Sequence, residues 1–301
     1  MKYFIIYLLL ITPVFSNSST WIQEKSKKDT KKEIFLVEGN FPKGTYLNKL
    51  HNPRLLLKHN EGEIFQKEFK NGKIPFDMPY KGSYHLFLED KYIANDTLYI
   101  NLYKTRIYNK DGDIKDAILK EIRGKTTGTH YGKEPFDQVP FEMILQDPIK
   151  QHHINCCLYS GDILPVKIFL NQKLQTNISL KVTTQKGWSN EITANEDGII
   201  SFEIPRNTYA DVSKEKRLKE LMLLEASITE NLEGDYQGKP YSKIVYYSSI
   251  PIDFRTSPLE YTSQLAGFYV VMGVILVFSL GVYYNRRKKK KTPKEIWFDE
   301  N

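Results

Sequence analysis

The densest set of metal-ligating side chains in the chain lies in one short stretch, residues 152–157, which reads His-His-Ile-Asn-Cys-Cys. Imidazole and thiolate groups suit Cu(I), Zn(II), Ni(II) and Co(II). The stretch therefore predicts a transition-metal site with nickel, cobalt, copper or zinc as its cofactor. The candidate ligands are His152, His153, Cys156, Cys157 and His130.

The spacing of these residues limits what the stretch offers on its own. In a strand, alternate side chains share a face, so His152 would lie beside Cys156, with the second His–Cys pair on the other face. Each face then holds half a site, which His130 or His85 would complete through folding. Two alternatives stay open: a buried strand in which Cys156 is a small apolar filler, and redox behaviour of the adjacent cysteines.

Motifs of catalysis are missing from the sequence. It contains no nucleophile elbow, zincin helix, P-loop or dinucleotide fingerprint. Residues 111–113, Asp-Gly-Asp, begin like a calcium loop, but Asp116 and Ile122 stand where that loop needs Gly and Glu. We therefore predict a turn at this position and a protein that is not an enzyme.

A long uncharged run, residues 261–285, is followed directly by six Arg or Lys residues at 286–291. About 20 apolar residues suffice to cross the hydrocarbon core as a helix. The run predicts a transmembrane helix over 265–284 in contact with the lipid bilayer, and the cations place the tail in the cytoplasm. The alternative, a buried core helix, is disfavoured by this length without charge and by the cations.

The N-terminus carries the features of a secretory signal. Lys2 precedes an apolar run over 3–11, and Val14 and Ser16 supply the small residues that signal peptidase accepts. We predict cleavage after Ser16, with an uncleaved signal anchor as the alternative. The ectodomain would then lie outside the cytoplasm, on the periplasmic side of the cell (inner) membrane.

Composition excludes two other classes of protein. The net charge is +7, but the tail from Asn285 carries seven Lys or Arg against three Asp or Glu, so the ectodomain is only about +2. This balance predicts no nucleic-acid partner. The two cysteines are adjacent, which excludes a disulfide-stapled scaffold.

Short runs of β-branched and aromatic residues, separated by Gly and Asn turns, fill most of the ectodomain. Residues 163–170 and 178–184 alternate in polarity as strands do. The pattern predicts an all-β ectodomain of two Ig-like β-sandwich units plus one C-terminal transmembrane α-helix. The expected organisation is a signal peptide 1–16, a flexible lead-in 17–31, an N-terminal β-sandwich unit 32–105, a connecting segment 106–138, an Ig-like unit 139–254, a juxtamembrane linker 255–264, the transmembrane helix 265–284 and a basic tail 285–301.

Three segments of the second half occur in a recognisable order: VPFEMILQDP at 139–148, GDILPVKIFLNQKL at 161–174 and TANEDGIISFEIP at 193–205. This order resembles the NikM-like family of periplasmic domains associated with nickel and cobalt uptake. The resemblance covers about residues 139–250. It implies a non-catalytic accessory protein that holds a transition metal or docks on a membrane metal transporter.

Two departures from the family pattern point in opposite directions. The mature start at Asn17 has no nearby His, although family members tied to metal uptake often carry one. Residues 149–160, which contain the His–Cys stretch, look like an insertion. The insertion favours metal handling, whereas the missing His favours the alternative function, a structural or adhesive Ig-like ectodomain that binds a protein partner.

Overall fold

The computed structural model describes residues 18–26, 32–59, 62–70, 72–109, 134–149, 158–206 and 219–289. Within them the chain is mostly β-strand, with one apolar helix near the C-terminus, so the predicted all-β class and the C-terminal helix are confirmed. The described chain separates into a β unit that ends at Arg255 and a second unit that contains the helix.

The strands follow one another closely along the β unit. In chain order they are β1 Ser19–Ser26, β2 Lys32–Asn40, β3 Lys43–Tyr46, β4 Pro53–His59, β5 Ile64–Lys67, β6 Lys73–Ile74, β7 Gly82–Ala94, β8 Thr97–Asn109, β9 Phe141–Leu145, β10 Ile163–Leu170, β11 Lys173–Leu174, β12 Ser179–Thr184, β13 Ser189–Thr193, β14 Ile199–Glu203, β15 Lys219–Glu230, β16 Gly234–Tyr236, β17 Lys239–Tyr241 and β18 Lys243–Arg255.

One eight-stranded sheet, in the order β13-β12-β15-β18-β8-β7-β4-β5, runs through both halves of the sequence. Its neighbours are antiparallel except β18 and β8, which are parallel. Within the described residues, this parallel pair joins the four N-terminal strands of the shared sheet to its four C-terminal strands. We call it the seam.

Two smaller sheets pack on the shared sheet. The first contains β1, β2 and β3, with β6 also paired to β2; the second contains β11, β10 and β14, with β9 also paired to β10. Strands β16 and β17 form a separate hairpin. Each smaller sheet buries its apolar side chains in a hydrophobic cluster with one half of the shared sheet.

The two smaller sheets cover opposite faces of the shared sheet. Strand β8 shows this directly, because Tyr103 and Ile107 belong to the first cluster whereas Leu98 and Ile100 belong to the second. Odd and even residues of a strand point to opposite faces. The shared sheet is therefore sandwiched on one face in its N-terminal half and on the other face in its C-terminal half.

Local sequence explains the regular strands. In β10, residues 163–170, every second residue is buried and its neighbours are half-buried, as the alternating sequence predicts. The hairpin between β7 and β8 turns through Asn95 and Asp96, with φ of 49° and 54°. Asn and Asp tolerate this left-handed conformation, which a two-residue type I′ turn requires at both positions.

Strand β1 lies where the sequence predicts a flexible lead-in. Its composition is polar, but it pairs with β2 along its whole length, from Ser19 opposite Gly39 to Ser26 opposite Lys32. Trp21 is buried and contacts the cluster that includes Leu223. Burial of a large aromatic ring against distant strands thus outweighs a local composition typical of a loop.

The second unit contains helix α1, Pro258–Lys289. Proline is favoured in the first turn of a helix, where its missing N–H has no partner in any case. The apolar stretch Ala266–Lys288 is long enough to cross a membrane, and its side chains are exposed. One C-terminal apolar helix of this kind fits a single-pass membrane anchor.

Candidate functional site

The residues predicted to bind a metal all lie outside the described part of the chain: His130, His152, His153, Cys156 and Cys157. Among the described residues no group of three or more His, Cys, Asp or Glu side chains could hold a metal ion. His85 is described and lies on β7, directly opposite Lys58 on one side and Arg106 on the other. Both of these neighbours are cations and not metal ligands. In the described structure, His85 therefore does not lie in a cluster of candidate metal ligands.

The seam is the feature of the β unit that most resembles a binding site. Strands β8 and β18 pair in parallel only over residues 97–103 and 243–249. Beyond this point β8 stays paired with β7 as far as Asn109, and β18 stays paired with β15 as far as Arg255. The two strands therefore part while each keeps its outer neighbour, and a gap opens between their inner edges.

The gap is part of a cleft of about 730 Å³, within the usual size of ligand pockets. Its walls come from both parted strands, from their outer neighbours β7 and β15, from β1 and from the end of β9. The apolar lining consists of Trp21, Ile22, Phe41, Leu145, Leu221, Ile250, Pro251 and Ile252. The charged and polar lining consists of Gln23, Glu24, His85, Lys104, Thr105, Arg106, Tyr108, Gln185, Lys219 and Asp253.

Strand β8 presents cations on the face that carries His85. Lys104 and Arg106 alternate with Thr105, so both point to the same face. The Arg106 guanidinium donates hydrogen bonds to the Ser83 hydroxyl, with Nη2 at 2.6 Å and Nε at 3.2 Å. The arginine is thereby held in place beside the cleft.

The pKa of the His85 imidazole reflects its burial and the charges on this face of the sheet. Burial lowers its pKa from 6.5 to about 3, and the charges of Lys104, Arg106 and Lys58 lower it further in the same direction. His85 is therefore neutral at neutral pH. Arg106 and Lys58 lie opposite this ring on the neighbouring strands, while the charge of Lys104 is balanced by Glu142.

A buried ion pair fixes the wall of the cleft. Lys104 is paired with Glu142 of β9, and both side chains are almost fully buried. The same ammonium donates to the Met143 carbonyl at 3.1 Å, and the second Glu142 oxygen accepts from the Phe136 N–H at 2.6 Å. Because each carboxylate oxygen has a donor, the pair meets the condition for a stable buried charge. It ties β8 to β9.

A second buried network closes the opposite face, where β1 crosses the paired part of the seam. Ser249 donates to the Thr20 carbonyl at 2.6 Å. The Tyr247 hydroxyl donates to Glu225 at 2.6 Å, and Ser19 donates to the other oxygen of that carboxylate at 2.9 Å. Burial, followed by the Glu225 charge, raises the pKa of Tyr247 well above its usual value, so the phenol keeps its proton.

Sequence reasoning missed this cleft. Strand β8 ends at Asn109, but the sequence assigns residues after 105 to a connecting segment. The signal was present in Lys104, Arg106 and Tyr108, whose period of two continues the strand. The position of the gap depends on which strand lies beside β8, and that partner is more than 100 residues away in sequence.

The cleft has the chemistry of a binding site: apolar walls, oriented cations and a neutral imidazole. Comparison with protein-family models and with curated proteins gives no match to this chain.

Proposed function

We propose that this protein is a single-pass membrane protein whose β unit lies outside the cytoplasm and binds a protein partner without catalysing a reaction. The observation that carries the proposal is the cleft at the seam, in a chain that also has an apolar span, Ala266–Lys288. An anchored β scaffold with a shaped, charged cleft suits recognition of another protein at the membrane surface.

The orientation in the membrane is part of the proposal. It is supported by the six cations at 286–291 and by the signal-like N-terminus, which together favour a β unit in the periplasm and a tail in the cytoplasm. The division into two Ig-like units, 32–105 and 139–254, is also proposed. Its support is the presence of two large hydrophobic clusters, each built mainly from one half of the chain.

Cysteine labelling in whole cells tests the orientation. In a Cys156→Ser/Cys157→Ser background, Asp96→Cys introduces a thiol at an exposed turn of the β unit, and Lys294→Cys introduces one in the tail. With the outer membrane permeabilised, a maleimide that cannot cross the inner membrane should label position 96 alone, and position 294 only after lysis. The reverse pattern would overturn the orientation.

Photo-crosslinking in living cells tests partner binding. A benzophenone amino acid replaces Tyr108, which lines the cleft and is 42% exposed, or Tyr46 on β3, which is 46% exposed and serves as the matched control. We expect a discrete protein adduct from position 108 and none from position 46. Equal or absent adducts at the two positions would contradict binding at the cleft.

A second candidate function is that of an accessory protein in nickel or cobalt uptake, which holds the metal or docks on a membrane transporter. The sequence observation that favours it is the His–Cys stretch at 152–157, together with the NikM-like resemblance. Calorimetric titration of the reduced protein with Ni, Co, Cu(I) and Zn tests it, beside a His152→Ala/His153→Ala/Cys156→Ser/Cys157→Ser variant. Micromolar or tighter binding that the variant loses would support metal handling, and absence of binding would contradict it.

A further inference from the structure

A second cavity, of about 530 Å³, lies at the β5 edge of the shared sheet and shares no lining residue with the cleft at the seam. Three neighbouring strands, β5, β4 and β7, contribute to it. Arg54 lies directly opposite Glu89, and Leu56, two residues along the same strand, lies directly opposite Gln66. The side chains of Gln66, Arg54 and Glu89 therefore point to one face of the sheet, where they line a cavity of the size of a ligand pocket.

Glu89 is a buried carboxylate in this lining, and its hydrogen bonding is incomplete. Its side chain is 5% exposed, and its Oε1 lies 3.0 Å from the Lys91 ammonium. Its Oε2 is buried and accepts no hydrogen bond from the described part of the chain. A buried acceptor of this kind lowers stability, and it commonly marks the position of a water molecule or a ligand. Rotation about χ3, a torsion with broad preferences, can turn this oxygen towards the cavity.

Other polar groups of the lining are held in place by hydrogen bonds. The Arg54 guanidinium donates to the Gln138 carbonyl at 3.3 Å and to the Gln138 side-chain oxygen at 3.2 Å. The Asn52 amide donates to the Tyr236 hydroxyl. These side chains are therefore oriented before a ligand arrives, which lowers the entropic cost of binding.

The charges of the lining disfavour an ionic ligand of either sign. The cavity is lined by the cations Arg54, Lys67 and Lys91 and by the carboxylates Glu68 and Glu89. A cationic ligand would meet three positive groups, whereas an anionic ligand would meet Glu89 and leave its Oε2 without a donor. A hydroxyl group suits both kinds of neighbour, because it donates to a carboxylate and accepts from an ammonium or amide group. The lining therefore favours a neutral ligand with several hydroxyl groups.

Two aromatic side chains, Phe69 and Tyr236, add apolar surface to the same lining. A sugar ring combines hydroxyl groups at its rim with apolar C–H faces, which stack on aromatic rings. We propose that this cavity binds a neutral saccharide, with one hydroxyl donating to Glu89 Oε2 and the sugar ring lying against Tyr236. This site is separate from the cleft at the seam and does not depend on the function proposed for that cleft.

A printed array of neutral and acidic saccharides, probed with the labelled full-length protein, tests the inference. The protein is kept in lauryldimethylamine oxide, because the sugar headgroup of a glucoside or maltoside detergent would compete for the site. We expect neutral saccharides to retain the protein more strongly than acidic ones. Preference for acidic saccharides, or no retention at all, would overturn the proposal. Displacement by a free monosaccharide would assign a soluble sugar as the ligand, and displacement by oligosaccharides alone would assign a polysaccharide chain; both results support a saccharide site.

Glutamine substitutions locate the bound saccharide. Glu89→Gln replaces the charged acceptor with a neutral amide and should weaken binding of the retained saccharide about tenfold or more. The matched control is Glu196→Gln in the exposed turn between β13 and β14, which should change Kd less than about twofold. Unchanged binding in Glu89→Gln, or equal loss in both variants, would overturn the assignment to this cavity.

Substitutions of Tyr236 test the stacked ring and do not alter the buried carboxylate. Tyr236 is half-buried and lies in the separate β16–β17 hairpin. Tyr236→Ala removes the ring and should weaken saccharide binding about fivefold, whereas Tyr236→Phe keeps the ring and should change Kd less than about twofold. Full affinity in Tyr236→Ala would contradict the proposed pose. A protein adduct at Tyr108 without saccharide binding would remove this inference while leaving partner binding in place.

Discussion

The two ends of the seam use the same two strands and differ in almost every other respect. In the paired end, residues 97–103 lie beside 243–249 in register, and the seam is covered by β1 through Ser249 and Tyr247. In the parted end, residues 104–109 stay paired with β7 and residues 250–255 with β15, and both segments contribute to the lining of a cleft. The same two strands therefore join the halves of the shared sheet at one end and border a cleft at the other.

The residues at the point of parting explain the difference. Pro251 has no N–H to donate, and proline is tolerated in strands chiefly where a strand is an edge. Pairing with β8 stops at Ser249, two residues before it. On β8 the matching change is the start of the cations at Lys104, whose ammonium turns to Glu142 of β9. The missing N–H of Pro251 on β18 and the charge of Lys104 on β8 thus both act against further pairing of these two strands.

The largest expected effect on stability comes from removing one partner of the Lys104–Glu142 ion pair at the parted end. Lys104→Met leaves the Glu142 carboxylate buried without its cation, which should lower the free energy of unfolding by about 3–5 kcal/mol. Urea unfolding of the full-length protein in detergent, followed by Trp fluorescence, measures the loss. Trp21, which lines the cleft, reports on this region.

A double variant separates the charge from the packing. Lys104→Met/Glu142→Gln removes both charges but keeps an acceptor for the Phe136 N–H. Because neutral, similarly sized groups replace a buried ion pair at little cost, more than half of the lost stability should return. If the double variant is as unstable as Lys104→Met, the loss arises from packing and not from an unpaired carboxylate.

The paired end should respond less strongly to loss of one hydrogen bond. Tyr247→Phe removes the donor to the buried Glu225 carboxylate, which keeps Ser19 at 2.9 Å and Lys181 at 3.4 Å. We expect a loss of about 1.5–3 kcal/mol in the same unfolding measurement. Tyr99→Phe, on the paired part of β8, is the control and should stay within about 0.5 kcal/mol. Equal losses of stability in the two variants would show that the hydrogen bond from Tyr247 to Glu225 makes no specific contribution to the free energy of unfolding.

Acidification should weaken the parted end through His85. Its pKa is lowered to about 3 in the folded protein, so between pH 6.5 and 3 the unfolded chain binds a proton that the folded chain does not. The stability that the neutral imidazole contributes is present above pH 6.5 and is lost as the pH falls towards 3. The slope should stay below about 1.4 kcal/mol per pH unit.

Comparison of the pH profile with that of His85→Asn isolates this contribution, because carboxylates titrate over the same range in both proteins. The asparagine variant should lose less stability than the wild type between pH 6.5 and 4. Parallel profiles would mean that His85 takes up its proton equally in the folded and unfolded states.

Local pattern is enough to predict many of the strands and the helix, but not which strands lie beside one another. The alternation in 163–170 predicts β10, and the uncharged run over 265–284 lies within α1, because each signal depends on adjacent residues. The sequence around Trp21 predicts a flexible lead-in because its polar composition outweighs two apolar residues that the fold buries, Trp21 and Ile22. Its partners, β2 and the distant Leu223, are fixed only by the tertiary fold.

The cleft was beyond sequence reasoning for the same reason. In the sequence, Lys104 and Arg106 look like ordinary polar residues of a strand. They line a cleft only because β18 pairs with β8 as far as Tyr103 and then separates from it. The side chains whose types do indicate metal binding are those of the His–Cys stretch at 152–157. This stretch lies outside the described part of the chain, so its metal site stays a prediction. Side-chain type identified a candidate ligand set, whereas strand order identified a candidate binding surface.

The smallest expected effect on stability gives the sharpest test of why the seam opens. Pro251→Val restores an N–H and adds a β-branched side chain, so pairing between β8 and β18 should extend past Ser249. Stability should change by less than about 1 kcal/mol, while amides in 104–108 should exchange roughly tenfold more slowly. The matched control is Pro53→Val at the start of β4, which should leave exchange at 104–108 unchanged. Unchanged exchange in Pro251→Val would mean that the charges of β8, rather than the missing donor of β18, hold the strands apart.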